Sequence, residues 1–107
     1  MRKIEKGGKT VAVFDGKEKL ITDAASALDI IMMAKYEAGT ELIAIDKVAV
    51  TNEFFILSSG LAGEVLRKFI NYHAKFAVFG DYSHYTSKPL RDFIYESNNG
   101  RDVFFFG

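Results

Sequence analysis

The sequence lacks cysteine altogether, which excludes disulfide bonds, thiolate nucleophiles and cysteine-based zinc sites. It also lacks an excess of charge, because 14 Lys and Arg residues balance 14 Asp and Glu residues. Nucleic-acid-binding domains usually carry a basic surplus, so a nucleic-acid partner is disfavoured. No apolar run approaches the roughly 20 residues that span a bilayer, and the charged N-terminus does not resemble a signal peptide. These absences favour a cytoplasmic protein that does not bind a membrane.

Common catalytic motifs are absent too. Neither GxxxxGK[ST] nor GxGxxG occurs, so neither phosphate-binding loop is predicted. The only histidines, His73 and His84, lack the spacing of a zinc site, and no GxSxG elbow supports a nucleophilic serine. The sequence therefore predicts no cofactor and no metal site, and favours a non-catalytic protein.

The 107 residues suit a single domain, and about half of them are apolar. Gly7 and Gly8, between two extended stretches, predict a β-hairpin, after which helices and strands alternate. This order predicts an α/β fold over residues 1–107, with a mixed, mainly parallel sheet of about five strands, three helices and right-handed crossovers. Strands are predicted over 2–6, 9–15, 41–45, 75–79 and 103–106, and helices over 23–38, from Leu61 to His73 and from Ser87 to Asn99. Residues 48–50 are interpreted as a prolongation of the sheet, and 52–55 as a short turn.

Three carboxylates, those of Asp15, Asp46 and Asp81, each follow a predicted strand. Ligands of open parallel sheets bind beyond the carboxyl ends of the strands, so these groups could hold Mg²⁺ in a metal-dependent or small-ligand-binding enzyme. Aspartate is also a common residue in turns, and that interpretation is favoured.

Aromatic residues cluster in two predicted loops. Phe54 and Phe55 lead an apolar run that continues through Ile56 and Leu57, while Tyr82 and Tyr85 lie in the loop after the fourth strand. If both loops share one end of the sheet, they form a patch that binds a partner protein. The alternative is that these side chains plug the end of the core, and the sequence does not decide between the two.

A Ser-Ser-Gly turn, Ser58 to Gly60, opens the second helix. Locally, Ser58 or Ser59 is expected to be a helix N-cap, with Gly60 and Gly63 allowing close backbone approach. A phosphate on such a serine would lie at the positive end of the helix dipole and place about two negative charges beside an apolar surface.

The turn resembles the Asp-Ser-Ser-Gly-Leu-Gly turn of STAS domains, the family of anti-sigma factor antagonists and sulphate-transporter tails. Here it is LSSGLA at 57–62, with Leu57 where that family has aspartate. The resemblance implies a STAS-like fold and phosphorylation of the first serine, Ser58, by a partner kinase. It also implies that phosphorylation breaks the complex with the partner.

The whole chain is also similar to an uncharacterised bacterial family, domain of unknown function 4180. That resemblance rests on SGLAGE at 59–64 and YTSKPLRDFIYES at 85–97, and it implies no activity. Together these observations favour a regulatory module whose protein partner is a kinase or an anti-sigma factor. The residues predicted to contact that partner are Phe54, Phe55, Leu57, Gly60, Tyr82 and Tyr85. A third interpretation is a structural subunit that forms a homodimer.

Overall fold

The computed structural model describes residues 1–80 and 87–106, and its regular elements alternate after an opening pair of strands. In chain order these elements are β1 (Arg2–Lys6), β2 (Lys9–Phe14), α1 (Ala24–Met33), β3 (Leu42–Asp46), α2 (Leu61–Asn71), β4 (Lys75–Phe79), α3 (Ser87–Asn98) and β5 (Val103–Phe106). The strands form one sheet in the order β1-β2-β3-β4-β5. Strand β1 is antiparallel to β2, and every later pair is parallel. The predicted fold class, a mixed and mainly parallel sheet with three helices, is confirmed.

Two glycines form the turn of the opening hairpin. Gly7 and Gly8 have φ angles of 58° and 79°. A two-residue turn of this type needs positive φ at both central positions, which glycine adopts without steric cost. The predicted hairpin is confirmed.

Helix α1 begins at a capping box in which Asp23 is the N-cap. The Ser26 N–H donates to Asp23 Oδ1 at 2.8 Å, and the Asp23 N–H donates to Ser26 Oγ at 3.0 Å. Hydrogen bonding from the Ser26 backbone lowers the pKa of the Asp23 carboxyl. The stability that this bond contributes is therefore present above the unfolded-state pKa and is lost as the pH falls through the folded-state pKa.

The sheet buries a separate hydrophobic cluster on each face. Helices α1 and α2 cover one face, and α3 covers the other. On the α1–α2 face the buried strand residues are Ala12, Phe14, Ile43, Ile45, Phe76 and Val78. On the α3 face they are Val11, Val13, Ala44, Ala77, Phe79 and Phe104. Because both faces are covered, the central strands are apolar runs rather than alternating patterns.

The position of α3 contradicts the prediction that all crossovers are right-handed. The crossovers from β2 through β5 all step in the same direction along the sheet. When two crossovers step in the same direction along a sheet, their hand depends on the face that the connecting helix covers. Helices α1 and α2 cover one face and α3 covers the other, so the α3 crossover is opposite in hand to the other two. The right-handed rule has few exceptions. Here α1 and α2 already cover one face, and the apolar second face would stay exposed without α3.

The segment between β3 and α2 includes residues 48–50, which were predicted to prolong the sheet, and that prediction is wrong. It forms three 3₁₀ turns, Lys47–Ala49, Asn52–Phe55 and Leu57–Ser59. Within this segment only Val50 makes a β-bridge, a single parallel one with Ile21. The Asp46 side chain accepts the Val48 N–H and so caps the first 3₁₀ turn. The strand therefore ends before residues 48–50. The predicted turn at 52–55 is confirmed.

The C-terminus of α2 is shorter than predicted and ends in a Schellman motif. The Ala74 N–H donates to the Phe69 carbonyl at 2.8 Å, and the His73 N–H donates to the Ile70 carbonyl at 3.1 Å. The helical spacing of the sequence predicts Ile70 and His73 on the buried face of this helix. This is wrong, because His73 is exposed with φ 58° and Ile70 is 55% exposed. His73 lies beyond the end of α2 in a left-handed conformation, so the 3.6-residue periodicity no longer applies to it, whereas Ile70 lies within the helix beside the buried Phe69.

His73 occupies a position that glycine usually fills. We expect His73→Gly to raise the free energy of unfolding by about 0.5–1 kcal/mol, because relief of the left-handed strain exceeds the entropic cost of glycine. Asn71→Gly, inside the helix two residues earlier, is the matched control and should lower it by a similar amount. Urea unfolding checks both, and a lower stability for His73→Gly would contradict the strain argument.

Candidate functional site

Two of the predicted strand-end carboxylates are already engaged within the protein. Asp15 pairs with Arg2 across 3.2 Å, and Asp46 Oδ1 accepts the Val48 N–H at 2.9 Å. The third, Asp81, lies outside the described residues. Within the part of the chain that the structure describes, no three His, Cys, Asp or Glu side chains come together as a metal site requires.

Phe54 anchors the segment between β3 and α2 to the sheet. Its ring is 3% exposed and lies in the cluster of the α1–α2 face. The ring centroids of Phe76 on β4 and Phe105 on β5 lie 6.2 Å and 6.5 Å from that of Phe54. Aromatic pairs at such separations stabilise a core beyond simple burial. Of the two interpretations of this aromatic run, Phe54 fits the plug of the core.

The next two residues face solvent. Phe55 is 39% exposed and Ile56 is 51% exposed, and we call this pair the Phe55 patch. The Phe55 ring packs edge-on against Phe54 at 5.1 Å, and Lys47 Nζ lies 5.3 Å from its centroid. The ring is therefore held in place by its neighbours while one face stays accessible. The side chain of Leu57 is outside what the structure describes.

The Ser59 hydroxyl is part of the local structure. The hydroxyl donates to the Glu53 carbonyl at 2.7 Å and to the Ile56 carbonyl at 2.8 Å, which share its one proton. Its oxygen accepts the Leu61 N–H at 3.2 Å. This one side chain links the turn at 52–55 to the first residue of α2. Ser59 therefore satisfies an orphan N–H of α2, although the N-cap position itself belongs to Gly60 rather than to a serine.

The neighbouring Ser58 has no such role. It is exposed, and no group in the described stretches of the chain hydrogen-bonds its hydroxyl. It lies two residues before Gly60 and two after Ile56. The structure thus separates the two neighbouring serines, because the Ser59 hydroxyl is bonded within the fold and that of Ser58 has no partner among the described residues.

Gly60 sets the direction in which α2 leaves the turn. Its φ is 72° and its ψ is −2°, a left-handed conformation. A Cβ added at Gly60 or at Gly63 would meet nothing within 4 Å, so the predicted close approach of backbone at these glycines is wrong. The requirement at Gly60 is conformational, and Gly63 lies in ordinary helix.

The serine pair predicts different costs of substitution. We expect Ser59→Ala to lower the free energy of unfolding by about 1 kcal/mol, because three hydrogen-bonded groups lose their partner. Ser58→Ala is the matched control and should change it by less than about 0.5 kcal/mol. Thermal or urea unfolding of both variants checks this, and equal effects would show that the Ser59 bonds do not stabilise the turn.

The two glycines predict effects of opposite sign. Gly60→Ala should lower the free energy of unfolding by about 1 kcal/mol, because alanine is strained at positive φ. Gly63→Ala should raise it by about 0.5–1 kcal/mol, because alanine is the better helix former and has open space for its methyl group. Chemical denaturation measures both, and a stabilised Gly60→Ala variant is the contrary result.

The structure brings together only part of the predicted partner surface. Phe55, Ser58 and Gly60 share one exposed stretch, and Phe54 lies beneath it. Tyr82 and Tyr85 lie outside the described residues. Sequence reasoning missed Phe105, which is 59% exposed at the edge of the sheet. The sequence carried no signal for it, because an uncharged run such as VFFF is typical of a buried central strand and the strand order was not predicted.

The architecture defines an α/β domain whose sheet is mainly parallel and covered by helices on both faces. A family model described as a domain of unknown function (DUF4180) matches residues 6–107, so the chain belongs to that family. No curated protein and no solved structure matches the chain. No helix in the described stretches is long and apolar enough to cross a membrane.

Proposed function

We propose that this chain is a non-catalytic regulatory module of the bacterial cytoplasm that binds a protein partner and is switched by phosphorylation of Ser58. Its partner-binding surface is the Phe55 patch with the adjoining turn from Ser58 to Gly60. The proposed partner is a regulatory kinase or an anti-sigma factor, as in the STAS domains that the turn resembles.

The observation that carries this proposal is the exposed Ser58 hydroxyl, which no residue in 1–80 or 87–106 hydrogen-bonds, beside exposed apolar side chains. A kinase needs an accessible hydroxyl, and Ser58 offers one without breaking any hydrogen bond of the turn. Phosphorylation of Ser59 would instead remove the proton that its hydroxyl donates to the Glu53 and Ile56 carbonyls. Ser58 is therefore the better phosphoacceptor of the two.

The effect of a phosphate at Ser58 follows from its surroundings. It would add about two negative charges next to the Phe55 patch, where a bound partner would have to desolvate them. Helix α2 starts three residues later, and its positive end would attract the phosphate toward the protein. The phosphorylated chain would thus remain folded while its apolar surface became a poor match for the partner.

The STAS likeness is part of the proposal. It is supported by the LSSGLA turn at the start of the second helix and by the order of elements, which opens with a hairpin before strands and helices alternate. The turn differs from the STAS pattern at Leu57, so the switch here would work without the preceding aspartate.

The test uses phosphomimetic and matched variants as bait. Tagged wild-type, Ser58→Ala, Ser58→Asp and Asn52→Asp chains are incubated with lysate of the native host, and captured proteins are quantified by mass spectrometry. We expect a protein retained by wild type and Ser58→Ala to be captured roughly tenfold less by Ser58→Asp, the loss expected for one unpaired charge in an apolar contact. Asn52→Asp adds a charge at another exposed position of the same segment and should retain it.

Two results would count against the switch. Equal capture by Ser58→Asp and Ser58→Ala would show that partner binding does not depend on the charge at position 58. Equal loss in Asn52→Asp and Ser58→Asp would make the effect one of general charge rather than of this serine.

A further inference from the structure

The outer edge of β5 is unlike the opposite edge of the sheet. Strand β1 at the other edge has the sequence RKIEK, in which four of five residues are charged. Strand β5 has the sequence VFFF and carries no charge. Charged side chains are a common protection of edge strands against pairing with another chain, and β5 has none.

The hydrogen bonds of β5 show which of its backbone groups are available. The Phe76 N–H donates to the Asp102 carbonyl at 2.9 Å, and the Gly80 N–H donates to the Phe106 carbonyl at 2.6 Å. Backbone groups alternate in direction along a strand, so those of Phe104 also point toward β4. The N–H and C=O groups of Val103 and Phe105 therefore point away from the sheet. They are the groups that another strand would meet.

We propose that β5 is a self-pairing surface, on which β5 of a second copy of this chain docks antiparallel. In this register Phe104 lies opposite Phe104 of the second copy. Val103 then faces Phe105 of the second copy, and Phe105 faces Val103 of the second copy. These two facing pairs are of the hydrogen-bonded type, so they exchange four backbone hydrogen bonds. The same patch serves both copies, as a two-fold axis requires, and the two sheets become continuous.

The side chains at this edge support the same register. Val103 and Phe105 lie on the α1–α2 face, so Phe105 would cover Val103 of the second copy. Phe105 is 59% exposed in the single chain and would gain an apolar neighbour. Direct cross-strand pairs of an aromatic and a β-branched residue are favourable in antiparallel sheets.

The edge residues favour a second copy over an unrelated strand. Val103 and Phe105 carry the outward backbone groups, and in the antiparallel register each meets the other, so the strand is its own complement. The groove beside β5 is lined by Asp92, Glu96 and Arg101 with the three phenylalanines of the strand. Asp92 pairs with Lys88 at 2.8 Å and Glu96 pairs with Arg101 at 3.7 Å, so these four charges balance within one chain.

Sedimentation equilibrium of the full chain, from micromolar to several hundred micromolar, tests the proposal. We expect a monomer–dimer equilibrium whose dissociation constant rises roughly tenfold or more in Phe105→Pro, because two outward N–H bonds are lost by symmetry while pairing with β4 is kept. Phe105→Lys should act in the same direction through charge and keeps the N–H. Ile70→Lys changes a comparably exposed apolar residue on α2 and should leave the constant unchanged.

Circular dichroism establishes that each variant is folded before its association is measured.

A wild-type chain that stays monomeric throughout this concentration range overturns the proposal. So does a dimer that both folded Phe105 variants leave unchanged. The variants at Ser58 do not touch this edge, so loss of self-association leaves the phosphorylation switch standing, and failure of the switch leaves the dimer standing.

Discussion

The burial of Phe54 against Phe76 and Phe105 holds the candidate site in place. The start of the segment from Asp46 to Gly60 is fixed by the buried Ala49 and Val50 and by backbone hydrogen bonds to Ile21. After Thr51, however, Phe54 is the only buried one of the side chains that the structure describes in this segment, and short 3₁₀ turns are weak alone. Because Phe54 is inserted into the core, the next residues must face outward, and the turn that follows projects Ser58 from the surface. The exposure of the Phe55 patch is thus a consequence of core packing one residue earlier.

Most of the fold could be predicted because it depends on local and periodic signals. Gly7-Gly8 and the apolar central strands each have one strong interpretation in the sequence. What failed depends on information that no local pattern carries. The face on which α3 packs is decided by which face α1 and α2 leave bare, and the conformation of His73 is decided by how α2 leads into β4.

The candidate site could be predicted only in outline. The sequence marked the Ser-Ser-Gly turn, but it presented Ser58 and Ser59 as equivalent helix caps. Their difference arises from carbonyl groups of Glu53 and Ile56 that a 3₁₀ turn brings to Ser59 alone. Likewise, the apolar run from Phe54 was equally compatible with a plug and with a patch. In the structure Phe54 is buried in the core while Phe55 and Ile56 are exposed, so the run as a whole fits neither alternative.

The two-sided burial of the sheet also affects how its strands are kept in register. In a sheet with one wet face, a slip of one residue exposes apolar side chains, and polarity alone forbids it. Here a slipped β3 or β4 would remain buried on both sides. What distinguishes the faces is size, since Ala44 and Ala77 are register neighbours on the α3 face, where Phe93 packs, while Ile43 and Phe76 face the other way. A slip would drive branched and aromatic side chains into the space that the alanines leave for Phe93, so steric fit, rather than contact with water, selects the native pairing.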